Sequence, residues 1–411
     1  MHILASHYRS EFLATPQLIR IDYAKGANGF EPTLLVKGST LLLKYIVLGA
    51  RLQLFLGRLN DRLLYALIAY DDPSKPVMLW SIVESEAEVK ALQALILGEP
   101  SPMFLFNELA LNVAWCTAKL SFPLEAKNWI SDPRLGNVDY SAIAKQANDL
   151  LERAFKGITT PDQLLSADIA PIDEWLPVFN HFITSHGANS PIDLFSRDEG
   201  GQQEQLAVWL TDNLLPRGVY QSAQIPKGNG TRELTDILLS YEYGAILIES
   251  KALTVFNRET LPDRTKLAEG VSQHVEKAVR QLRGGIRRLK EGVPVTTREG
   301  SAIDVERSKP AHAIVLIPEF DLIEDKDHYG PVFIADFMQI TGGFIHLLDI
   351  AELLRVVQAA EIISKGTERT PLMAFDYYLM ERAGRTREAG TLCIQVLLRI
   401  QDEHESSSHA L

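Results

Sequence analysis

The feature that most constrains this chain is a pair of acidic residues placed at the ends of two strongly apolar segments. Asp236 lies beside the apolar residues 237–239, and Glu249 follows the apolar run 245–248, thirteen positions after Asp236. Both runs flank a short turn that contains Gly244, which is typical of a β-hairpin. Burial of a carboxylate is costly unless the group is paired or binds a metal. The sequence therefore predicts a hairpin whose acidic side chains share one site.

The register of this hairpin follows from its turn. A symmetric turn pairs Tyr241 with Gly244. Counting outward then places Asp236 opposite Glu249, and directly opposed residues have Cβ atoms roughly 4.5–5.5 Å apart. Side chains alternate between the two faces of a strand, so Lys251 lies on the same face as Glu249. A bulge at the glycine would shift the register by one residue.

The nature of the two acidic groups indicates which metal they would bind. Two carboxylates at this separation repel each other unless a divalent cation lies between them. No His or Cys is near them in the sequence, and oxygen donors alone favour Mg²⁺ or Mn²⁺ over Zn²⁺. We therefore expect Asp236 and Glu249 to bind Mg²⁺, with Mn²⁺ able to substitute. Lys251 would orient a water molecule that attacks phosphorus, or stabilise the negative charge that develops there.

The residues Asp236, Glu249 and Lys251 resemble the motif of the PD-(D/E)xK nuclease superfamily. Its pattern is an acidic residue on a helix, an Asp on the first strand of a hairpin, and Glu-x-Lys on the next strand. Thr235 stands where the motif has Pro. The resemblance covers about residues 195–360. It implies a restriction-endonuclease-like α/β/α domain with a central mixed sheet that hydrolyses DNA phosphodiester bonds.

A third acidic residue precedes the hairpin on a predicted helix. Leu206 and Leu210 lie on one apolar face of this helix, and Glu204 falls within the same arc. Glu204 therefore resembles the helix-borne acid of the family, which implies a catalytic role and a third metal ligand. The alternative is a glutamate favoured near a helix N-terminus by the helix dipole. Glu233, a rival for this role, has strand parity opposite to that of Asp236 and is expected to face away.

Residues 272–290 predict a long helix with an apolar stripe and a basic opposite face. The chain as a whole carries a formal net charge of −12, so this basic face is a local exception. It indicates a surface that binds the phosphate backbone of nucleic acid. The residues predicted to make this contact are Lys277, Arg280, Arg283, Arg287, Arg288 and Lys290. The alternative is a solvated helix face that happens to be basic. Gln281 lies among these residues, and the resemblance implies that it sits beside the catalytic site.

The length of 411 residues predicts two domains. Turn-forming and small residues cluster at 185–191, so we place an N-terminal α+β domain at 1–188 and a nuclease domain at 189–411. The N-terminal domain is expected to serve recognition or oligomerisation.

Local patterns predict several elements of the N-terminal domain. Residues 52–83 alternate strand-like runs with turns, which predicts an antiparallel meander. Ser85 and Glu88 form the pattern of a capping box for a helix. Residues 140–156 and 172–185 are predicted to be helical.

In the second domain, strands and helices alternate, which fits an α/β/α arrangement with a mixed sheet. Asp349 and Glu352 form the pattern of a second capping box. His312 lies in an apolar strand and is predicted to be a core histidine without a carboxylate partner. A kink or close packing is expected to explain Gly284 and Gly285 within the basic helix.

Composition excludes several classes of protein. The two cysteines, Cys116 and Cys393, are far apart in the sequence, so neither a disulfide nor a zinc framework is expected. No apolar run approaches the roughly 20 residues that span a membrane, and the first residues do not resemble a secretion signal. We expect a globular, cytoplasmic protein.

Three functions are compatible with these patterns. The first is a metal-dependent DNA endonuclease, and by fold-level analogy such an enzyme could serve defence against foreign DNA. The second uses the same chemistry on RNA. The third is a non-catalytic nucleic-acid-binding or scaffold subunit, which the intact Asp236, Glu249 and Lys251 disfavour. DNA is the expected partner rather than RNA.

Overall fold

The structure is a computed structural model, and it describes residues 4, 6–26, 29–130, 133–158, 164–183, 189–215, 218–253, 255 and 262–394. Contacts between residues divide the chain into two compact units. Unit 1 consists of Met1–Gln203 and Ala252–Val271, and unit 2 consists of Glu204–Lys251 and Ser272–Leu411. The first boundary between the units lies after residue 203. The sequence predicted one boundary, between residues 188 and 189.

Unit 1 is an α+β assembly built around a large sheet. Its helices are α1 (Ser6–Ala14), α2 (Thr40–Val47), α3 (Glu86–Ile96) and α4 (Tyr140–Phe155). Its strands are β1 (Leu18–Gly26), β2 (Gly29–Lys37), β3 (Leu52–Leu59), β4 (Arg62–Ala69), β5 (Val77–Ile82), β6 (Ser101–Phe106), β7 (Asn112–Leu120), β8 (Leu164–Pro171), β9 (Leu176–Pro177), β10 (Asn180–Ile183) and β11 (Asn189–Ile192). Within the described residues, nine strands form one sheet in the order β1-β2-β6-β7-β8-β3-β4-β5, with β9 paired to β7. The β2–β6 pair is parallel, and β10 pairs with β11 separately.

Several local predictions for this unit are confirmed. Strands β3, β4 and β5 pair in sequence order and antiparallel, as a meander does. Helix α3 begins with the predicted capping box, in which Ser85 accepts from the Glu88 N–H and the Glu88 carboxylate accepts from the Ser85 N–H. Such reciprocal bonds satisfy two backbone donors that a helix start would otherwise leave unpaired.

The helix predicted for residues 172–185 is wrong over the part that the structure describes. Strand β9 pairs with β7 through Leu176 and Pro177, and β10 follows it. Pro177 explains the error, because proline lacks the backbone N–H that a helix interior requires and its ring disrupts the preceding turn. Residues 184 and 185 lie outside the described residues.

Unit 2 carries the predicted hairpin in a second mixed sheet. Helix α5 (Glu199–Asp212) belongs to unit 1 up to Gln203 and to unit 2 from Glu204. Helix α6 (Arg264–Lys290) belongs to unit 1 up to Val271 and to unit 2 from Ser272. The further helices are α7 (Pro331–Thr341), α8 (Ile350–Lys365) and α9 (Pro371–Ala389), with short 3₁₀ turns at Phe320–Leu322 and Asp327–Tyr329. The strands are β12 (Gly218–Lys227), β13 (Gly230–Tyr241), β14 (Gly244–Ser250), β15 (Val295–Thr296), β16 (Ala302–Ile303), β17 (His312–Ile317) and β18 (Phe344–Asp349). In the described part of the chain they form one sheet in the order β16-β15-β12-β13-β14-β17-β18, with β14, β17 and β18 parallel.

One face of this sheet is covered by α6. A Cβ built on Gly285 would lie 3.2 Å from the side chains of Leu234 and Leu247, so the glycine permits close packing of helix on hairpin, as predicted. Glu249 has the strand parity of Leu247, and Asp236 lies opposite Glu249 in the hairpin register. The two acidic residues therefore lie on the sheet face that α6 covers.

The opposite face is covered by α9. The hydroxyl of Tyr241, whose strand parity is opposite to that of Leu234, donates a hydrogen bond to Asp376 of α9. Helix α8 begins after the predicted cap Asp349, whose side chain accepts from the Glu352 N–H, which is one of the two hydrogen bonds of a capping box. The α+β class with mixed sheets that the sequence predicted is confirmed.

A buried chain of polar groups lies between this face and α9, which corrects the prediction for His312. The ring nitrogens His312 Nδ1 and His346 Nε2 are 3.0 Å apart, and His312 Nε2 lies 3.2 Å from Asp376 Oδ1. His312 is therefore a core histidine with a carboxylate partner, which sequence proximity could not reveal. Burial, assisted by His312 and Arg382, holds the pKa of His346 well below its usual range.

This burial of a neutral histidine predicts that the protein loses stability in mild acid. Unfolded His346 would titrate near pH 6.5, whereas the folded residue stays neutral at that pH. The stability that neutral His346 contributes is complete above about pH 6.5 and is lost as the pH falls toward the folded pKa, by up to about 1.4 kcal/mol per pH unit. Urea unfolding at several pH values between 7.5 and 5 should show a shallower decline in the variant His346→Leu. The exposed His328 provides the control His328→Leu, and equal slopes in wild type and His346→Leu would contradict this account.

Candidate active site

The hairpin of β13 and β14 has the register that the sequence predicted. Tyr241 pairs with Gly244, and the pairing continues without a bulge to Ile237 and Ile248. The next step along this register places Asp236 opposite Glu249. A turn of two residues therefore sets the position of both acidic side chains.

The three residues of the predicted motif meet in space. Lys251 Nζ lies 3.1 Å from Asp236 Oδ2 and 2.8 Å from Glu249 Oε2. The Asp236 carboxylate also accepts a hydrogen bond of 2.7 Å from the backbone N–H of Ser250. The side chain of Glu249 is 0% exposed, that of Asp236 10%, and that of Lys251 16%. The structure thus brings two carboxylates and one ammonium group together in a largely desolvated place.

The backbone holds the lysine at the end of the sheet. The Lys251 N–H donates a 2.8 Å hydrogen bond to the carbonyl of Leu316, which extends the parallel pairing of β14 with β17. The Thr235 hydroxyl donates to the carbonyl of Ile248 at 2.8 Å, where the family motif has a proline. These bonds fix the backbone on both sides of the acidic pair.

Two carboxylates that repel each other and one ammonium group that attracts both determine the electrostatics of the site. Burial, together with the charge of Asp236, raises the pKa of Glu249 to about 7, although Lys251 opposes the shift. Burial lowers the pKa of Lys251, but the two carboxylates outweigh it and raise that pKa above its usual value. The lysine therefore stays protonated, and a second cation near Glu249 would favour its ionised form.

The donor set fits a hard divalent cation. Glu249 Oε1 is buried and has no hydrogen-bond partner, so the carboxylate has acceptor capacity that the protein leaves unused. Mg²⁺ is usually held by one or two carboxylates, with waters and substrate phosphate completing its shell. Among the described residues, no three His, Cys, Asp or Glu side chains converge closely enough to hold a metal ion. The fit therefore rests on Asp236 and Glu249, and Glu204 does not complete a three-ligand group.

Glu204 nevertheless lies within the electrostatic field of the site. It is half-buried on α5, and Gln221 Nε2 approaches its Oε2 at 3.5 Å. Burial raises the pKa of Glu204, and the negative charges of Asp236 and Glu233 add to the shift. Glu233, which the sequence predicted to face away, is exposed but contributes to this field. Glu204 is therefore close enough to the site for the charge of Asp236 to raise its pKa.

Gln281, on the covered side of α6, has unused hydrogen-bonding capacity. It is half-buried, and its Oε1 has no hydrogen-bond partner although the atom is buried. It precedes Gly285, which packs on the hairpin, by about one helical turn.

His274, which the sequence patterns did not single out, lies seven positions before Gln281 on the same helix. Its Nδ1 is buried and has no partner. Burial lowers the pKa of His274, and the charges of Lys251 and Lys277 lower it further. The spacing of seven residues, which is about two helical turns, was a signal that could have found it.

The basic face of α6 is exposed but largely paired. Arg280 lies 3.6 Å from Glu276, Arg283 lies 2.6 Å from Asp336, and both Arg287 (3.7 Å) and Arg288 (3.1 Å) approach Glu291. Lys277 and Lys290 make no ion pair within the described residues. The pairs of Arg280, Arg287 and Arg288 are exposed, so they are weak and exchange readily with other partners. Arg283 is half-buried and lies over the rings of Phe333 and Phe337. The face can therefore still meet an anionic ligand, although its net positive charge is smaller than the sequence suggested.

The two cysteines are free, with Cys116 buried and Cys393 half-buried. No helix in the described part of the chain has both the length and the apolar character that crossing a membrane requires.

Comparison with known proteins adds little to this geometry. No protein-family model matches the chain, and no curated protein matches it. Among solved structures, the chain is similar to SfsA of Pyrococcus furiosus in complex with Ca²⁺, at 12% identity, with 73% of this chain and 89% of that chain covered and a TM-score of 0.15. A similarity at that TM-score supports no conclusion about the activity or ligands of this chain.

Proposed function

We propose that this protein is a Mg²⁺-dependent endonuclease of the PD-(D/E)xK type that hydrolyses phosphodiester bonds of DNA. The observation that carries the proposal is the convergence of Asp236, Glu249 and Lys251 on one buried point at the end of a sheet. The unused acceptor Glu249 Oε1 supports a bound cation at that point. A structural ion pair would not need two carboxylates around a single ammonium group, because their mutual repulsion is unfavourable.

Each side chain has a definite task in this proposal. Asp236 and Glu249 would hold Mg²⁺, which supplies charge neutralisation at phosphorus and a more acidic water when it is bound. The Ser250 N–H keeps the Asp236 carboxylate oriented. Lys251, which stays protonated, donates hydrogen bonds to the attacking water or to the phosphate oxygens as negative charge develops on them. Glu204 acts from the edge of the site by orienting water.

The N-terminal domain is proposed to recognise the target or a partner, or to mediate oligomerisation. Two free cysteines agree with a reducing cytoplasm as the working compartment. Defence against foreign DNA is an extension by analogy with nucleases of this build.

The proposal is tested by incubating the purified full chain with duplex DNA, single-stranded DNA and RNA, in Mg²⁺, in Mn²⁺ and in EDTA. We expect internal cuts in DNA in either metal and none in EDTA. Cutting of RNA alone would keep the site chemistry and change the substrate, since the site contacts phosphate rather than sugar. Absence of cutting in every condition, combined with binding, would indicate a non-catalytic nucleic-acid-binding subunit.

The basic face of α6 gives a separate prediction about affinity. Reversing the charge at Arg280 and Arg287, which are 70% and 66% exposed, should weaken DNA binding and flatten its dependence on salt. For every phosphate that the variant no longer neutralises, the slope of log K against log[salt] should become shallower by about 0.9. Fluorescence anisotropy in EDTA over a series of KCl concentrations measures both quantities. Arg385→Glu on the exposed side of α9 is the matched control, and a double variant that behaves like this control would make the basic face a solvated surface.

A further inference from the structure

His274 is a polar residue near the site that has no role in the proposed chemistry. This residue is half-buried on α6, and its Nδ1 lies in the interior without a hydrogen-bond partner. A buried polar atom without a partner is unfavourable, so such an atom in a folded protein usually has a ligand or a functional role.

The course of α6 places His274 toward the lysine end of the site. Gly285 packs against Leu247 of β14, and Gly270, at the other end of the helix, approaches Leu253 beyond that strand. The helix therefore runs antiparallel to β14, and His274 lies between these two contacts. Gln281 shares its helical stripe, because seven residues are about two turns. Both residues therefore lie on one stripe of α6, and each has a buried polar atom without a hydrogen-bond partner.

Two ammonium groups act on His274, and one of them, that of Lys251, also contacts the carboxylates of Asp236 and Glu249. The ammonium groups of Lys251 and Lys277 are both close enough to disfavour its protonation. Lys277 forms no ion pair within the part of the chain that the structure describes. Two cations and an unpartnered ring nitrogen thus occupy one neighbourhood, a combination that is suited to an oxyanion.

We propose that His274, Lys251 and Lys277 together bind a phosphate of the substrate backbone, with the imidazole Nδ1–H donating a hydrogen bond to a phosphate oxygen. This inference rests on the proposed function, because it assumes that the ligand of the site is a nucleic acid. In this inference, His274 joins Asp236 and Glu249 as a residue of the site and contacts the substrate directly. It also separates Lys277 from the paired arginines as the basic residue of α6 that acts at the site itself.

Equilibrium binding in EDTA tests the inference independently of cleavage. The affinity of the full chain for a fluorescent 20-base-pair duplex would be measured for wild type, His274→Leu and His274→Asn. We expect His274→Leu to bind about 10-fold or more weakly. His274→Asn, whose amide nitrogen lies near the position of Nδ1, should recover most of the affinity. Gln273→Leu is the matched control, because the neighbouring residue on the same helix is exposed.

A measurement on the wild-type protein covers the case in which the leucine variant fails to fold. The ring nitrogens of His274 would be followed by ¹⁵N NMR while the duplex, and separately inorganic phosphate, is added. A shift of the Nδ1 signal that is absent for His328 supports the inference. An Nδ1 signal that does not respond to either ligand overturns it.

The outcomes separate this inference from the proposed function. If wild type cuts DNA and His274→Leu binds and cuts as Gln273→Leu does, the phosphate site is wrong and the nuclease proposal stands. If wild type never cuts but His274→Leu loses affinity, the nuclease proposal is wrong and the phosphate site stands. If wild type binds neither the duplex nor inorganic phosphate, the phosphate site is overturned.

Discussion

Replacing Lys251 by Met is expected to slow Mg²⁺-dependent DNA cleavage by about 10³-fold, because the variant removes the cation that would stabilise charge developing on phosphorus. Asp236→Asn and Glu249→Gln should cause losses at least as large, since each removes a carboxylate that is needed to hold the metal. Initial rates of cleavage at saturating Mg²⁺ measure the effect. Lys266→Met is the control, because that lysine is 71% exposed on α6 and forms a surface pair with Asp263.

A second measurement on the same variants separates the role of the lysine from that of the carboxylates. A ligand that binds the folded state raises the melting temperature. The rise caused by Mg²⁺ should persist in Lys251→Met, in which both carboxylates remain, and should vanish in Asp236→Asn and Glu249→Gln. Cleavage within about tenfold of the wild-type rate in any of the three variants would remove the proposed site.

Replacing Arg382 by Leu is expected to destabilise the protein by about 3–5 kcal/mol, the largest effect on stability that we foresee. Arg382 Nη2 lies 3.3 Å from Glu352 Oε2, and both side chains are 0% exposed. The same nitrogen donates to the carbonyls of Leu347 at 2.7 Å and Ile394 at 3.0 Å. The variant would remove from the buried Glu352 carboxylate the guanidinium group that lies 3.3 Å from it. Urea unfolding at pH 7.5 measures the loss.

The helix that carries Arg382 also provides the control. Arg385 and Glu388 form an exposed pair 3.7 Å apart on α9, and Arg385→Leu should change stability by less than about 0.5 kcal/mol. The double replacement of Arg382 and Glu352 by Leu should recover much of the loss, because no buried charge remains uncompensated. A single Arg382→Leu variant as stable as Arg385→Leu would show that the buried pair contributes little.

The parts of the structure that follow from short-range patterns could be predicted from the sequence. The turn before Gly244 sets the hairpin register, and alternation along a strand then sets the faces of Asp236, Glu249 and Lys251. Capping at Ser85 is equally local, because its partners lie within four residues. In each case the determining residues are neighbours in the chain.

The parts that depend on distant residues could not be predicted. Strand β8 pairs with β3 although more than a hundred residues separate them, and alternation within either strand does not name its partner. His312 and Asp376 meet in the same way across 64 positions. The pairing of Arg283 with Asp336 reduces the charge of a face that looked uniformly basic in the sequence. His274 was missed because the burial of its Nδ1 depends on tertiary packing, which the residues next to it in the chain do not determine.

The assignment of Ala252–Val271 to the first compact unit has a consequence for how this protein can be divided. The polypeptide passes from one unit to the other after residues 203, 251 and 271, so no single peptide bond separates them. A fragment that starts near residue 189 would keep Arg264 but lose Asp71, its buried ion-pair partner. Truncation at any one point between residues 203 and 271 would therefore remove residues from both units. We expect the two units to be encoded and expressed together as one polypeptide.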